Sequence, residues 1–160
     1  MKILLAVDGS PGSRRAVDFV TRIGWPAGSR IIVLGTARLE DGEIEATPEA
    51  GSAPSDPAQI LREKSDLAVS RAVRTLREAG LSAGSQPAFG PARPALIQAT
   101  CRERVDLVVI GSSSRAGVAR RMLHDVSGHF VTDAPCSVLV VKRERQVRTK
   151  RPPLTAKRRS

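Results

Sequence analysis

Four short runs in this 160-residue chain are apolar at every position: Ile3 to Val7, Ile31 to Leu34, Leu107 to Ile110 and Val138 to Val141. A strand with one wet face alternates apolar and polar residues, so an unbroken apolar run reads as a strand covered on both faces. The segments between the runs carry helical spacing. Ala16, Val17, Val20 and Ile23 share one side of a helix closed at Gly24, and Leu61, Ala68, Ala72, Leu76 and Ala79 form a stripe that ends at Gly80. Asp56 and Pro57 read as N-cap and first position of that second helix. Residues 92–104 form a third helix with Leu96, Ile97 and Thr100 inward, and a fourth runs from about Asp125 to Asp133, stopped by Pro135. Leu81 to Phe89 reads as a weak strand interrupted by Gly84 and Pro87. Strands alternating with helices predict an α/β fold: a five-stranded parallel sheet with helices on both faces. In such sheets ligands bind beyond the carboxyl ends of the strands. Two loops there carry polar chemistry: Asp8-Gly9-Ser10 after the first strand and Gly111 to Ser114 after the fourth.

Composition narrows the function classes. The length suits one domain. Apolar residues make up 41% and aromatic residues 2%, with no Tyr, so the core is aliphatic and there is no stacking platform for single-stranded nucleic acid. No run approaches the roughly 18 apolar residues of a membrane span. Asp8 breaks the first apolar run too early for a signal peptide, and a cytoplasmic location is expected. Cys101 and Cys136 lack metal-binding or CxxC spacing and are expected to be small core residues without a redox role.

The formal net charge is +10, unevenly placed. Nine basic residues and one acidic lie between Lys142 and Ser160, which gives that tail +8 and leaves +2 for residues 1–141. Residues 143–160 read as a disordered basic tail able to make weak, salt-sensitive contacts with polyanions. Residues 38–57, acidic and rich in Pro, Gly and Ala, read as a flexible loop.

Three segments together resemble the universal stress protein family: "ILLAVDGSPGSRRAV" at the amino end, "GPARPALIQATCRERVDLVVIG" in the middle, and "DLVVIGSSSRAGVARRMLHDVSGHFVTDAPCSVLVV" at the carboxyl end. The resemblance covers residues 1 to about 142. It implies an adenine-nucleotide alpha-hydrolase-like domain with strand order 3-2-1-4-5 and a role in stress tolerance with no single established reaction. It also implies a homodimer joined through the last strand, here Val138, Leu139, Val140 and Val141. An apolar edge strand is an aggregation hazard unless a partner covers it, which agrees.

Relatives that bind ATP carry Gly-x-x-Gly, nine residues, then Gly-Ser or Gly-Thr. Laid on this chain, the first Gly is Gly111, the second falls on Ser114, Arg115 to Leu123 supply the nine, and the final pair falls on His124 and Asp125. The spacing is kept while three of the four signature residues differ. A helix start offers bare N–H groups and a positive dipole end to an anion. Asp125 is itself an anion, able to accept from the N–H groups of Ser127 and Gly128 as a cap. Two unit charges about 4 Å apart repel by roughly 4 kcal/mol at an effective dielectric of 20, close to a thousandfold in affinity at about 1.4 kcal/mol per decade. Arg115, Arg120, Arg121 or a divalent ion would offset part of this.

The candidate nucleotide cleft is therefore Ala6, Val7, Asp8, Thr36, Gly111, Ser114, His124 and Asp125. In ATP-binding relatives the acid matching Asp8 faces adenine or ribose; on its own terms Asp8 is equally a turn residue. Thr36 falls near an adenine-wall position that is usually Val in relatives. No catalytic or metal-ligating residue is nominated, since His124 and Asp125 are adjacent and do not face one another on a helix. The expected function is a cytoplasmic, dimeric binding or regulatory module without a tightly held cofactor. The alternatives are ATP with magnesium bound at the cleft, with slow hydrolysis, and nucleic-acid association through the tail.

Overall fold

The computed structural model describes residues 1–35, 57–86, 92–112 and 129–142. The elements run β1 (Lys2–Val7), α1 (Pro11–Thr21), β2 (Arg30–Gly35), α2 (Pro57–Glu78), β3 (Ala83–Gln86), α3 (Ala92–Glu103), β4 (Leu107–Gly111), α4 (His129–Asp133) and β5 (Ser137–Val141). The five strands form one sheet in the order β3-β2-β1-β4-β5, and every pairing is parallel. The register sets Leu5 of β1 between Val33 and Val109.

Strand residues point alternately to the two faces, and the core divides accordingly. Ile3, Leu5 and Val7 join Ala16, Val17 and Val20 of α1 and Val69, Ala72 and Leu76 of α2. Leu4 and Ala6 join Leu96 and Ala99 of α3 and Phe130 of α4. Both faces of β1 are thus covered, as its unbroken apolar run requires.

The expected 3-2-1-4-5 sheet is present, and the differences lie at element ends. The third strand begins at Ala83 rather than Leu81, because the Leu81 N–H is taken by the Leu76 carbonyl at 3.0 Å in the close of α2, and residues 87–89 of the expected strand lie outside the described residues. Gly80 at φ +79 with a Gly80 N–H to Arg77 O bond completes that close, the left-handed helix ending that glycine favours. Helix α1 stops three residues before Gly24: Arg22 caps it, its N–H shared between the carbonyls of Phe19 and Val20. Along α2, Ala79 is exposed and Ser65 is buried, so the inward stripe is Ser65, Val69, Ala72 and Leu76. Pro57 opens α2, one residue inside the span read as a flexible loop. The rest of that loop and the tail 143–160 lie outside the described residues. Cys101 is exposed, so it is not the core residue expected, while Cys136 is half-buried and packs against the core on the α3 face; burial pushes the Cys136 thiol pKa up. Val138, Leu139 and Val140 of the edge strand are half-buried and Val141 is buried.

Helix α3 closes like α2 but without glycine. Val105 N–H reaches Thr100 O at 3.1 Å and Arg104 N–H reaches Cys101 O at 3.3 Å, with Arg104 at φ +50. A side chain in the left-handed region costs roughly 1–2 kcal/mol, and the Arg104 side chain is exposed. Arg104→Gly is expected to stabilise the fold by about 0.5–1 kcal/mol, the glycine's extra unfolded-state entropy offsetting part of the relief. Urea denaturation checks this; a lower midpoint for the variant would contradict it.

Candidate functional site

The carboxyl ends of β1 and β4 adjoin, because these strands pair in register from Ile3 with Leu107 to Ala6 with Ile110. Beyond β1 the chain turns sharply. Asp8 Oδ1 accepts from the Ser10 N–H at 2.9 Å, an Asx turn, and Gly9 sits at φ +74, where a side chain is strained. Ser10 then caps α1. Its Oγ accepts from the Ser13 N–H at 3.1 Å, the Ser13 hydroxyl donates to Ser10 O at 3.0 Å, and Pro11 takes the first helical position. Arg14 folds back, one guanidinium nitrogen donating to Gly9 O at 2.6 Å.

Gly111, the last residue of β4, lies directly against this first turn. A Cβ there would collide with the Gly12 carbonyl group and stand 2.7 Å from the Ser13 nitrogen. The absence of a side chain is what lets the start of α1 rest on the end of β4. Ser112 is then held from two sides: its N–H donates to Val141 O at 2.8 Å, and its carbonyl accepts from an Arg15 guanidinium nitrogen at 2.7 Å. The Arg15 Nε is buried and has no hydrogen-bond partner among the described residues. Buried polar groups are costly unless bonded, so this guanidinium is only partly satisfied by the contacts that hold Ser112.

Of the eight residues assigned to the cleft, Asp8 and Gly111 stand at the adjoining strand ends as expected. The Ala6 and Val7 side chains are buried in opposite faces of the core, which leaves main-chain groups as their means of touching a ligand. Thr36, Ser114, His124 and Asp125 lie outside the described residues. Gly35, beside Thr36, is packed beneath α2, where a Cβ would meet Ser65 Oγ at 2.7 Å. Sequence reasoning placed Ser112 in the loop after β4 without a role and missed Arg15. Their link joins a side chain to a main-chain carbonyl 97 positions away, and no spacing along the chain signals it. Among the described residues no helix is long and apolar enough to cross a membrane.

The parallel sheet in the order β3-β2-β1-β4-β5, with a capped turn after β1 and Gly111 of β4 packed against α1, defines an α/β domain. The profile of the universal stress protein family matches residues 1–142, and the chain belongs to that family. It is similar to a universal stress protein of Thermus aquaticus, 28% identical over 145 residues that cover 88% of this chain and 97% of the relative. Among solved structures, a family member from Arabidopsis thaliana with AMP bound superposes with a TM-score of 0.62 at 19% identity, covering 90% of this chain and 92% of that one. A universal stress protein in complex with cAMP superposes with a TM-score of 0.59 at 22% identity, covering 88% and 96%. These two likenesses establish the fold.

The contact of Gly111 with α1 is directly testable. Gly111→Ala is expected to cost about 1–3 kcal/mol, the usual penalty of forcing extra volume into a packed site. Gly84 in β3 is the control: a Cβ there meets nothing within 4 Å, so Gly84→Ala should stay within about 0.5 kcal/mol of the parent. Equal effects of the two changes in thermal unfolding would refute the assigned contact.

Proposed function

We propose that this protein is a cytoplasmic binding or regulatory module of a stress response, dimeric, with a candidate cleft at the ends of β1 and β4 that does not hold ATP tightly. The observation that carries the reading is the replacement of three signature residues, Ser114, His124 and Asp125, at preserved spacing after Gly111. An aspartate at the helix start competes with phosphate for the same N–H donors and repels the phosphate charge. The geometry on the β1 side is consistent. The Asp8 carboxylate already accepts one hydrogen bond within its own turn, and the N–H of Ser13 is used by Ser10.

The relatives solved with AMP and cAMP favour a second reading, in which the cleft of this chain still takes a nucleotide with few phosphate charges. Repulsion from Asp125 grows with ligand charge, so weak AMP binding and poor ATP binding are compatible. Calorimetric titration with ATP and magnesium is expected to give a dissociation constant weaker than micromolar, and Asp125→Ser to tighten it by tenfold or more. A micromolar constant for the parent chain, or no gain from Asp125→Ser, would sink the proposal.

Dimerisation is proposed through β5, whose outer edge has no strand partner among the described residues. Its half-buried Val138, Leu139 and Val140 suit an apolar partner strand. Val140→Lys is expected to shift the species in sedimentation velocity from dimer to monomer. A monomeric parent chain, or a variant that stays dimeric, would remove this part of the reading.

A further inference from the structure

A concavity of about 250 Å³ lies on the α3 face of the sheet, toward the amino ends of β1 and β2 and so away from the candidate cleft. Lys2 and Arg30 open these two strands, and the register sets them side by side. Alternation along the strands puts both on the face that carries Leu4 and Ile32, which pack with α3. Ile32 in turn pairs with Gly84 of β3. No atom stands within 4 Å of where a Gly84 Cβ would be, so the floor of the cavity is the bare backbone of β3 beside Ile32. The last turn of α3 forms the rim. Lys2 Nζ donates to Glu103 O at 2.9 Å, and Glu103 Oε1 is 3.5 Å from Arg102 Nε.

We infer that this cavity is a second ligand site, for a small phosphate monoester. The charge around it is unbalanced: Lys2, Arg30 and Arg102 line it against the carboxylate of Glu103. That carboxylate is already engaged with Arg102, and among the described residues Lys2 and Arg30 have no ion-pair partner. Guanidinium forks take phosphate oxygens in pairs and an ammonium adds a point charge, so the unpaired donors match a phosphate. They surround a hollow, where a solvated basic face would spread them over a convex surface. Size sets the rest of the ligand. Sites for drug-sized molecules run to about 300–1,000 Å³, so this cavity suits a phosphate on a short carbon chain rather than a nucleotide. The chain would lie over Ile32 and Gly84, with the Gln86 amide, which also lines the cavity, available to its hydroxyl groups. Gly84 keeps that space open, since any side chain there would stand in it.

Titration of the isotope-labelled full chain with glycerol 3-phosphate, followed by the amide signals in NMR, tests this. The signals of Gly84, Ser85, Gln86 and Glu103 are expected to move and saturate, while those of Gly9 and Ser112 at the candidate cleft stay in place. Glycerol, which lacks the phosphate, should move none of them. Arg30→Ala should weaken binding by about tenfold or more, the loss of one charged donor, and Gly84→Leu should abolish it by filling the cavity. Arg30 is exposed and a Gly84 side chain meets open space, so both variants should unfold near the parent temperature; if Gly84→Leu does not fold, Arg30→Ala decides. Four outcomes would overturn the inference: shifts that never saturate, shifts confined to Gly9 and Ser112, an Arg30→Ala variant that binds like the parent, or a short DNA duplex that moves the same signals and binds more tightly than glycerol 3-phosphate. The two groups of signals report separately, so loss of the nucleotide reading would leave this result standing, and the reverse.

Discussion

The central position of β1 governs this structure. It pairs with β2 on one edge and β4 on the other, and helices cover both of its faces. No residue from Ile3 to Val7 is left with a wet side, which excludes polar chemistry from the strand and confines it to the ends. Because every pairing is parallel, the five carboxyl ends lie together. The chain leaves β1 for β2 and β3 on one side and reaches β4 and β5 on the other, so the strand order reverses between β1 and β4, where a crevice opens in sheets of this kind. The contact of Gly111 with Gly12 and Ser13 then ties the two halves. Helix α1 connects β1 to β2, yet its first turn rests on β4.

The same crowding limits what the cleft offers an anion. A helix start is attractive to phosphate because its first N–H groups lack partners. In α1 the Ser13 N–H is taken by Ser10 Oγ and the Arg14 N–H by Ser10 O. The Asp8 carboxylate, turned into its own loop, adds negative charge on that side. Ser112 uses both main-chain groups within the protein, one toward Val141 and one toward Arg15. The N–H groups of Ser13, Arg14 and Ser112 are thus engaged within the protein, and the positions at which this chain departs from the family signature lie beyond Ser112.

Much of the fold was legible because burial on both faces leaves a plain mark in sequence. Ile3 to Val7 and Leu107 to Ile110 have no polar residue to spare, and strand order followed from the family likeness they carry. Element ends were harder, for identifiable reasons. Gly24 drew the end of α1 too far, because glycine signals a stop without saying at which residue the last helical bond is made. Arg104 gave no signal at all: nothing in an arginine announces a positive φ, and only the bonds from Val105 to Thr100 and from Arg104 to Cys101 reveal it. The inward phase of α2 slipped because Ser65 is polar and yet buried under Gly35. At the site, Asp8 and Gly111 could be named from motif spacing. Arg15 could not, since its partner is a backbone carbonyl and carries no residue identity.

Ser112 separates the anchoring of β4 on α1 from the signature positions that differ in this chain. Among the described residues, the interactions that hold the end of β4 are the Gly111 contact with α1, the Ser112 bond to Val141 and the Arg15 clamp. Positions 114, 124 and 125 come later in the chain, and none of these interactions uses them. Serine at 114 and aspartate at 125 therefore leave the described anchoring intact, and in the proposed reading their effect is confined to phosphate binding. A repulsion of roughly 4 kcal/mol is a large part of the 5–15 kcal/mol that holds a typical domain together. In the proposed reading it would fall on a bound phosphate rather than on the fold, whose described sheet and core draw on none of these three positions.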